Sequence, residues 1–75
     1  MDENEFYQLT GKRIKFLREQ AHLTQEKLAE MAGISLDYLG KIEVCINRPG
    51  IKTILKISNA LDVPIKSIFD FDISS

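Results

Sequence analysis

Thr24-Gln25-Glu26-Lys27-Leu28-Ala29-Glu30-Met31-Ala32-Gly33-Ile34-Ser35 is the stretch that decides the fold. Thr24 suits a helix N-cap, because its hydroxyl oxygen can accept a hydrogen bond from an N–H that a helix start leaves open. Leu28, Ala29 and Ala32 follow on one helical face. Gly33 stops that helix by taking up the positive φ that commonly follows a helix end. Ser35 is a second cap residue, and a second helix begins after it. Small Ala29 lets the two helices approach closely, and Leu39 and Ile42 close the pair against what precedes it. The spacing predicts a helix-turn-helix.

Outward from this unit the period stays helical, and no stretch alternates apolar and polar residues as a strand would. The expected fold is all-α with five helices. The first runs from about Leu9 to Ala21, with Thr10 as its N-cap, Ile14, Leu17 and Ala21 inward, and Lys12, Lys15, Arg18 and Glu19 mostly outward. His22 and Leu23 end it. The second runs from Thr24 to Ala32. The third follows Ser35 to about Glu43, with Ile34, Leu39 and Ile42 inward and Asp37 in a first turn that suits an acid. Asn47, Pro49 and Gly50 mark a loop. The fourth, Ile51 to Leu61, buries Ile51, Ile54, Leu55, Ser58 and Leu61. Pro64 opens a short fifth that reaches Phe69. The domain core is then residues 9–69, between acidic ends, with Asp70 to Ser75 frayed or loosely docked.

A chain of 75 residues makes one domain, and a hydrophobic content of 44% supports a core and argues against disorder. No apolar run approaches the roughly 18 residues that suggest a membrane span. Met1 to Glu5 is acidic and does not resemble a signal peptide. One cysteine, Cys45, and one histidine, His22, can form neither an intrachain disulfide nor a structural zinc site. No metal, cofactor, membrane or small-molecule ligand is expected, and the cytoplasm is the natural compartment. No nucleophile accompanies a base, so the residues do not suggest an enzyme. The net charge of −1 conceals an asymmetry. Residues 6–69 hold all ten Lys and Arg against six acids, a net of +4, while Asp2, Glu3, Glu5, Asp70 and Asp72 sit in the ends.

Taken in order, Gly11-Lys12-Arg13-Ile14, Leu23-Thr24-Gln25-Glu26-Lys27-Leu28-Ala29, Ala32-Gly33-Ile34-Ser35, Tyr38-Leu39-Gly40-Lys41-Ile42-Glu43 and Pro49 to Phe69 resemble the Cro and lambda-repressor-like, or XRE-type, regulators. The resemblance implies a lambda-repressor-like domain whose third helix enters the major groove of double-stranded DNA. It implies base reading by Leu36, Asp37 and Lys41, with Ser35 and Tyr38 beside them. It places Gln25 on a phosphate at a helix start, next to Thr24, and Arg48, Gly50 and Lys52 on the backbone after the reading helix. Arg13 is matched to a residue that can pair with Glu43, touch a phosphate, or do both. Relatives often carry a basic residue and glycine after that glutamate, where this chain has Val44-Cys45. A phosphate contact is lost there, and the loop lacks its usual glycine.

Alternatives stay open for single residues. Tyr38 can pack on the second helix or reach the DNA backbone. Cys45 is a plain loop residue or a redox switch, and His22 a surface residue or a cap. The apolar excess at Ile65, Ile68, Phe69, Phe71 and Ile73 suggests a homodimer interface, which would match a two-fold symmetric operator. Length leaves no room for a sensor domain beside the reader. Relatives of this size include phage-type repressors, antitoxins and restriction–modification controllers. The competing reading is a protein-interaction module that keeps the fold without binding DNA.

Overall fold

The computed structural model describes residues 1–71, so Ile73 lies outside the described residues. Among the described residues there are five α-helices and no strand: α1 (Glu3–Gln20), α2 (Gln25–Ala32), α3 (Leu36–Glu43), α4 (Ile51–Leu61) and α5 (Ile65–Ile68).

The first helix starts two turns earlier than the sequence suggests. Asp2 is its cap, with Oδ1 accepting from the Glu5 N–H at 2.8 Å, and Glu3 and Glu5 sit where the helix dipole favours acids. Thr10 is no cap. It lies buried in mid-helix, and its hydroxyl donates to the Phe6 carbonyl at 2.8 Å. The acidic opening, expected to lie outside a core of residues 9–69, is therefore a helix start. It is held by an aromatic cluster in which Phe6 stacks on Phe69 at 5.6 Å and meets Phe71 edge-on at 5.8 Å.

The first four helices end in the same closure. A residue with φ near +60°, His22, Gly33, Cys45 or Asp62, follows each one. Its N–H and that of the next residue turn back onto the last helical carbonyls. For α3 these are Cys45 N to Ile42 O at 3.1 Å and Ile46 N to Lys41 O at 2.8 Å. This is the Schellman arrangement. The residue after each left-handed position is apolar: Leu23, Ile34, Ile46 and Val63. Leu23, Ile34 and Val63 pack on the core, while Ile46 stays exposed.

One core joins all five helices: Ile14, Leu28, Ala29, Ala32, Leu39, Ile42, Ile54, Ile57, Leu61 and Ile68. The expected inward faces of α2 and α3 are the observed ones. On α4 the face is rotated. Ile54, Ile57, Ser58 and Leu61 are buried, whereas Ile51 is 67% and Leu55 48% exposed. A helix with four isoleucine or leucine residues in its first seven offers several apolar stripes, and packing chose the 54–57–58–61 stripe.

Candidate nucleic-acid interface

The pair α2–α3 is built as its cap and turn residues require. Thr24 Oγ1 accepts from the Lys27 N–H and Ser35 Oγ from the Tyr38 N–H, each at 3.0 Å. Gly33 makes the turn between them at φ 71°. Ala29 is buried where the helices meet.

A polar lock fixes the far end of α3. The Arg18 guanidinium grips Glu43 in a two-pronged pair, Nε to Oε2 at 2.7 Å and Nη2 to Oε1 at 3.1 Å. Arg18 Nη1 also donates to the Leu23 carbonyl at 2.7 Å. Gln25 Nε2 donates to the same Glu43 Oε1 at 3.0 Å. One carboxylate thus ties the end of α1, the link after it and the start of α2 to the last residue of α3. The pair is buried, with side chains 11% and 1% exposed. Hydrogen bonding to Glu43 raises the Arg18 pKa from its already high value, against the opposing pull of burial. A raised folded-state value contributes stability below the unfolded-state value, so the contribution is fully present across the physiological range.

This lock corrects the sequence-based partner. Arg13 does not meet Glu43. Its Nε donates to the Ser67 carbonyl of α5 at 2.7 Å, and its guanidinium lies 5.2 Å from the Phe16 ring centre. Gly11 marks the side of α1 that touches α3, and two residues further on a helix turns about 200° away. Arg13 is therefore turned toward α5 rather than toward the end of α3. The signal for Arg18 was in the period. Gly11, Ile14 and Arg18 follow i, i+3, i+7 spacing on the buried stripe, and grouping Arg18 with the outward lysines overlooked that.

The outward stripe of α3 and its cap is Leu36, Asp37, Gly40, Lys41 and Val44. Leu36 is 48% and Val44 65% exposed, so the stripe has two apolar ends. Between them Lys41 Nζ lies 3.0 Å from Asp37 Oδ2. An exposed i,i+4 pair of this kind contributes only about 0.3–0.5 kcal/mol, so Lys41 can leave it for a stronger acceptor. Tyr38 packs against the core, which includes Leu28, Ala29 and Ala32 of α2, and its hydroxyl lies 3.5 Å from Thr53 Oγ1 of α4.

The expected backbone-contacting residues, Arg13 aside, fall into two groups. Thr24 and Gln25 stand at the start of α2. Gly50 and Lys52 stand at the start of α4, where Gly50 makes no side-chain cap and leaves the first N–H groups open. Arg48, in the loop between, is held by α1: Nη1 is 3.4 Å from Glu3 Oε2, Nη2 donates to Asn4 Oδ1, and the guanidinium lies 4.8 Å from the Tyr7 ring centre. The loop keeps its left-handed turn without glycine, because Cys45 adopts φ 63°.

The expected interface residues separate. Ile68 is wholly buried in the subunit core and has no surface to offer a partner. Phe69 and Phe71 are half-buried on Phe6, and Ile65 is half-buried at the core edge.

A family model described as Helix-turn-helix matches residues 14–68. The chain belongs to the helix-turn-helix family. Its XRE-type relatives include the immunity repressor protein of Bacillus phage phi105, 38% identical over 58 residues, or 77% of this chain and 40% of the repressor. The regulator SinR of Bacillus subtilis is 35% identical over 63 residues, 83% of this chain and 57% of SinR. The chain thus spans about two fifths to three fifths of these longer relatives. Among solved structures, the restriction-modification controller protein C.AhdI from Aeromonas hydrophila superposes with a TM-score of 0.82 at 32% identity, covering 84% of this chain and 96% of that one. This helix-turn-helix chain is thus a member of a family of transcriptional regulators rather than enzymes. Among its described residues no helix is long and apolar enough to cross a membrane.

Proposed function

We propose that this chain is a sequence-specific transcriptional regulator that binds double-stranded operator DNA as a homodimer in the cytoplasm. The observation that carries the reading is the lock: Arg18, Glu43 and Gln25 fix α3 to α2 while leaving the stripe Leu36–Val44 outward. A rigid, exposed helix behind a tight turn is what major-groove reading requires. In this reading Lys41 leaves Asp37 to meet a guanine, Asp37 accepts from a cytosine amine, and Leu36 covers a thymine methyl. Ser35 and Tyr38 flank them. Gln25, Thr24, Gly50, Lys52 and Arg48 take the backbone. Two subunits would read half-sites about 34 Å apart. The phage-repressor and controller relatives support a repressor or autoregulator whose activity follows its own concentration.

One observation favours a second reading. The outward stripe neutralises itself through Asp37–Lys41 and ends in apolar residues, which also suits a protein-interaction surface. Binding to a mixed-sequence duplex at several salt concentrations separates the two. A DNA reader with several phosphate contacts weakens steeply as salt rises, because each contact releases counterions. No binding at low salt would leave the interaction module.

A further inference from the structure

A cleft of about 460 Å³ opens between the first half of α1 and the loop that leaves α3. Its α1 wall is Asn4, Gln8 and Lys12, at i, i+4 and i+8, and its loop wall includes Val44, Cys45 and Arg48. Val44 also ends the outward stripe of α3, so the cleft begins where that face stops. Glu43 borders it too, but its carboxylate is already taken by Arg18 and Gln25.

Two cations therefore face this space on different terms. Lys12 is exposed and has no ion-pair partner among the described residues. Arg48 is occupied, because the Glu3 carboxylate and the Asn4 amide oxygen sit on its guanidinium. A carboxylate and a phosphate compete for the same guanidinium N–H groups. Glu3 shows that an anion fits on Arg48, and its side chain, 75% exposed, is free to swing into water.

We propose that Lys12 and Arg48 form a binding site for a DNA backbone phosphate beside α3, which Glu3 occupies as a competing carboxylate until DNA displaces it. Gln8, on the same α1 stripe, supplies a neutral donor between the cations. The proposal rests on the DNA-binding reading above and extends the footprint to α1. It gives the acidic start of the chain a role besides capping its helix, since the same turn sets how strongly the loop attracts DNA.

The test uses the full chain, with anisotropy titrations of a mixed-sequence duplex and of an operator selected from random duplexes, over a salt series. Lys12→Ala is expected to weaken both duplexes by the same factor, roughly three- to tenfold, and to reduce the salt slope by about one. Glu3→Gln is expected to tighten both about two- to fivefold. Both residues are exposed, and matched thermal melts confirm that each variant folds as the parent does. Lys12→Ala with the parent's affinity and slope, or Glu3→Gln with equal or weaker binding, overturns the site while leaving the DNA reading intact. A parent that binds neither duplex at low salt overturns both.

Discussion

Gly11 and Cys45 are two residues whose backbone settings invite opposite substitutions. A Cβ on Gly11 would lie 2.5 Å from the Ile42 carbonyl oxygen and 3.2 Å from that of Glu43. Both are backbone atoms at the end of α3 and cannot step aside as a side chain could. Gly11→Ala is therefore expected to destabilise the domain by about 1–3 kcal/mol, the range of overpacking in a fitted core, and a urea melt would show it. Cys45 holds φ 63°, a conformation that costs a non-glycine residue about 1 kcal/mol. Cys45→Gly is expected to raise stability by about that amount with the loop unchanged. An unaltered or lower melting temperature would mean that the thiol contributes packing which offsets the strain. Gly11 stood in the motif quoted from the sequence, but its reason did not, because a helix-to-carbonyl contact between α1 and α3 has no local signature.

The elements depend on one buried charge pair. Arg18 and Glu43 join α1 to α3, and Gln25 adds α2. Removing one partner strands a charge, which typically costs about 3–5 kcal/mol, while replacing both with apolar residues of similar volume is often close to neutral. Arg18→Met is expected to fall in the first range, and Arg18→Met with Glu43→Leu to recover much of the loss, as measured by denaturant unfolding of both. A single variant as stable as the parent would show that the lock is not what holds α3. Thr24, Gly33 and Ser35 marked α2 and α3 because caps and turns are local chemistry. The start of α1 was missed because Phe6 is secured by Phe69 and Phe71, far along the chain. On α4 the closely spaced isoleucines and leucines left the buried stripe to tertiary packing.

At the scale of the whole molecule, charge and surface distribution govern function. The described surface joins an outward α3 stripe of low net charge to flanking polar groups at the starts of α2 and α4 and in the loop with Arg48. In the proposed DNA-binding reading, affinity would lean on backbone contacts and on pairing two subunits. With Ile68 committed to the core, the proposed partner subunit would have Ile65 and the aromatic cluster to use, along with Ile51 and Leu55 exposed on α4. Sedimentation at tens of micromolar, with and without operator, is expected to show a dimer in at least one condition. A monomer in both would rule out the homodimer and its two-fold operator. The helix proposed to read DNA is legible in outline, since its cap, turn and outward residues are sequential neighbours. Its anchoring partner is not, because Arg18 and Glu43 are 25 residues apart and any of several cations could have met that carboxylate. In the proposed reading Lys41 leaves Asp37 to meet a base, and Lys41→Ala tests this on the selected operator and on mixed DNA. Lys41→Ala is expected to lose about 1–3 kcal/mol on the operator, with relaxed preference at one base pair per half-site. On mixed DNA the change should be much smaller. A Lys41→Ala protein that binds every duplex as the parent does, with the same preferences, would show that Lys41 reads no base.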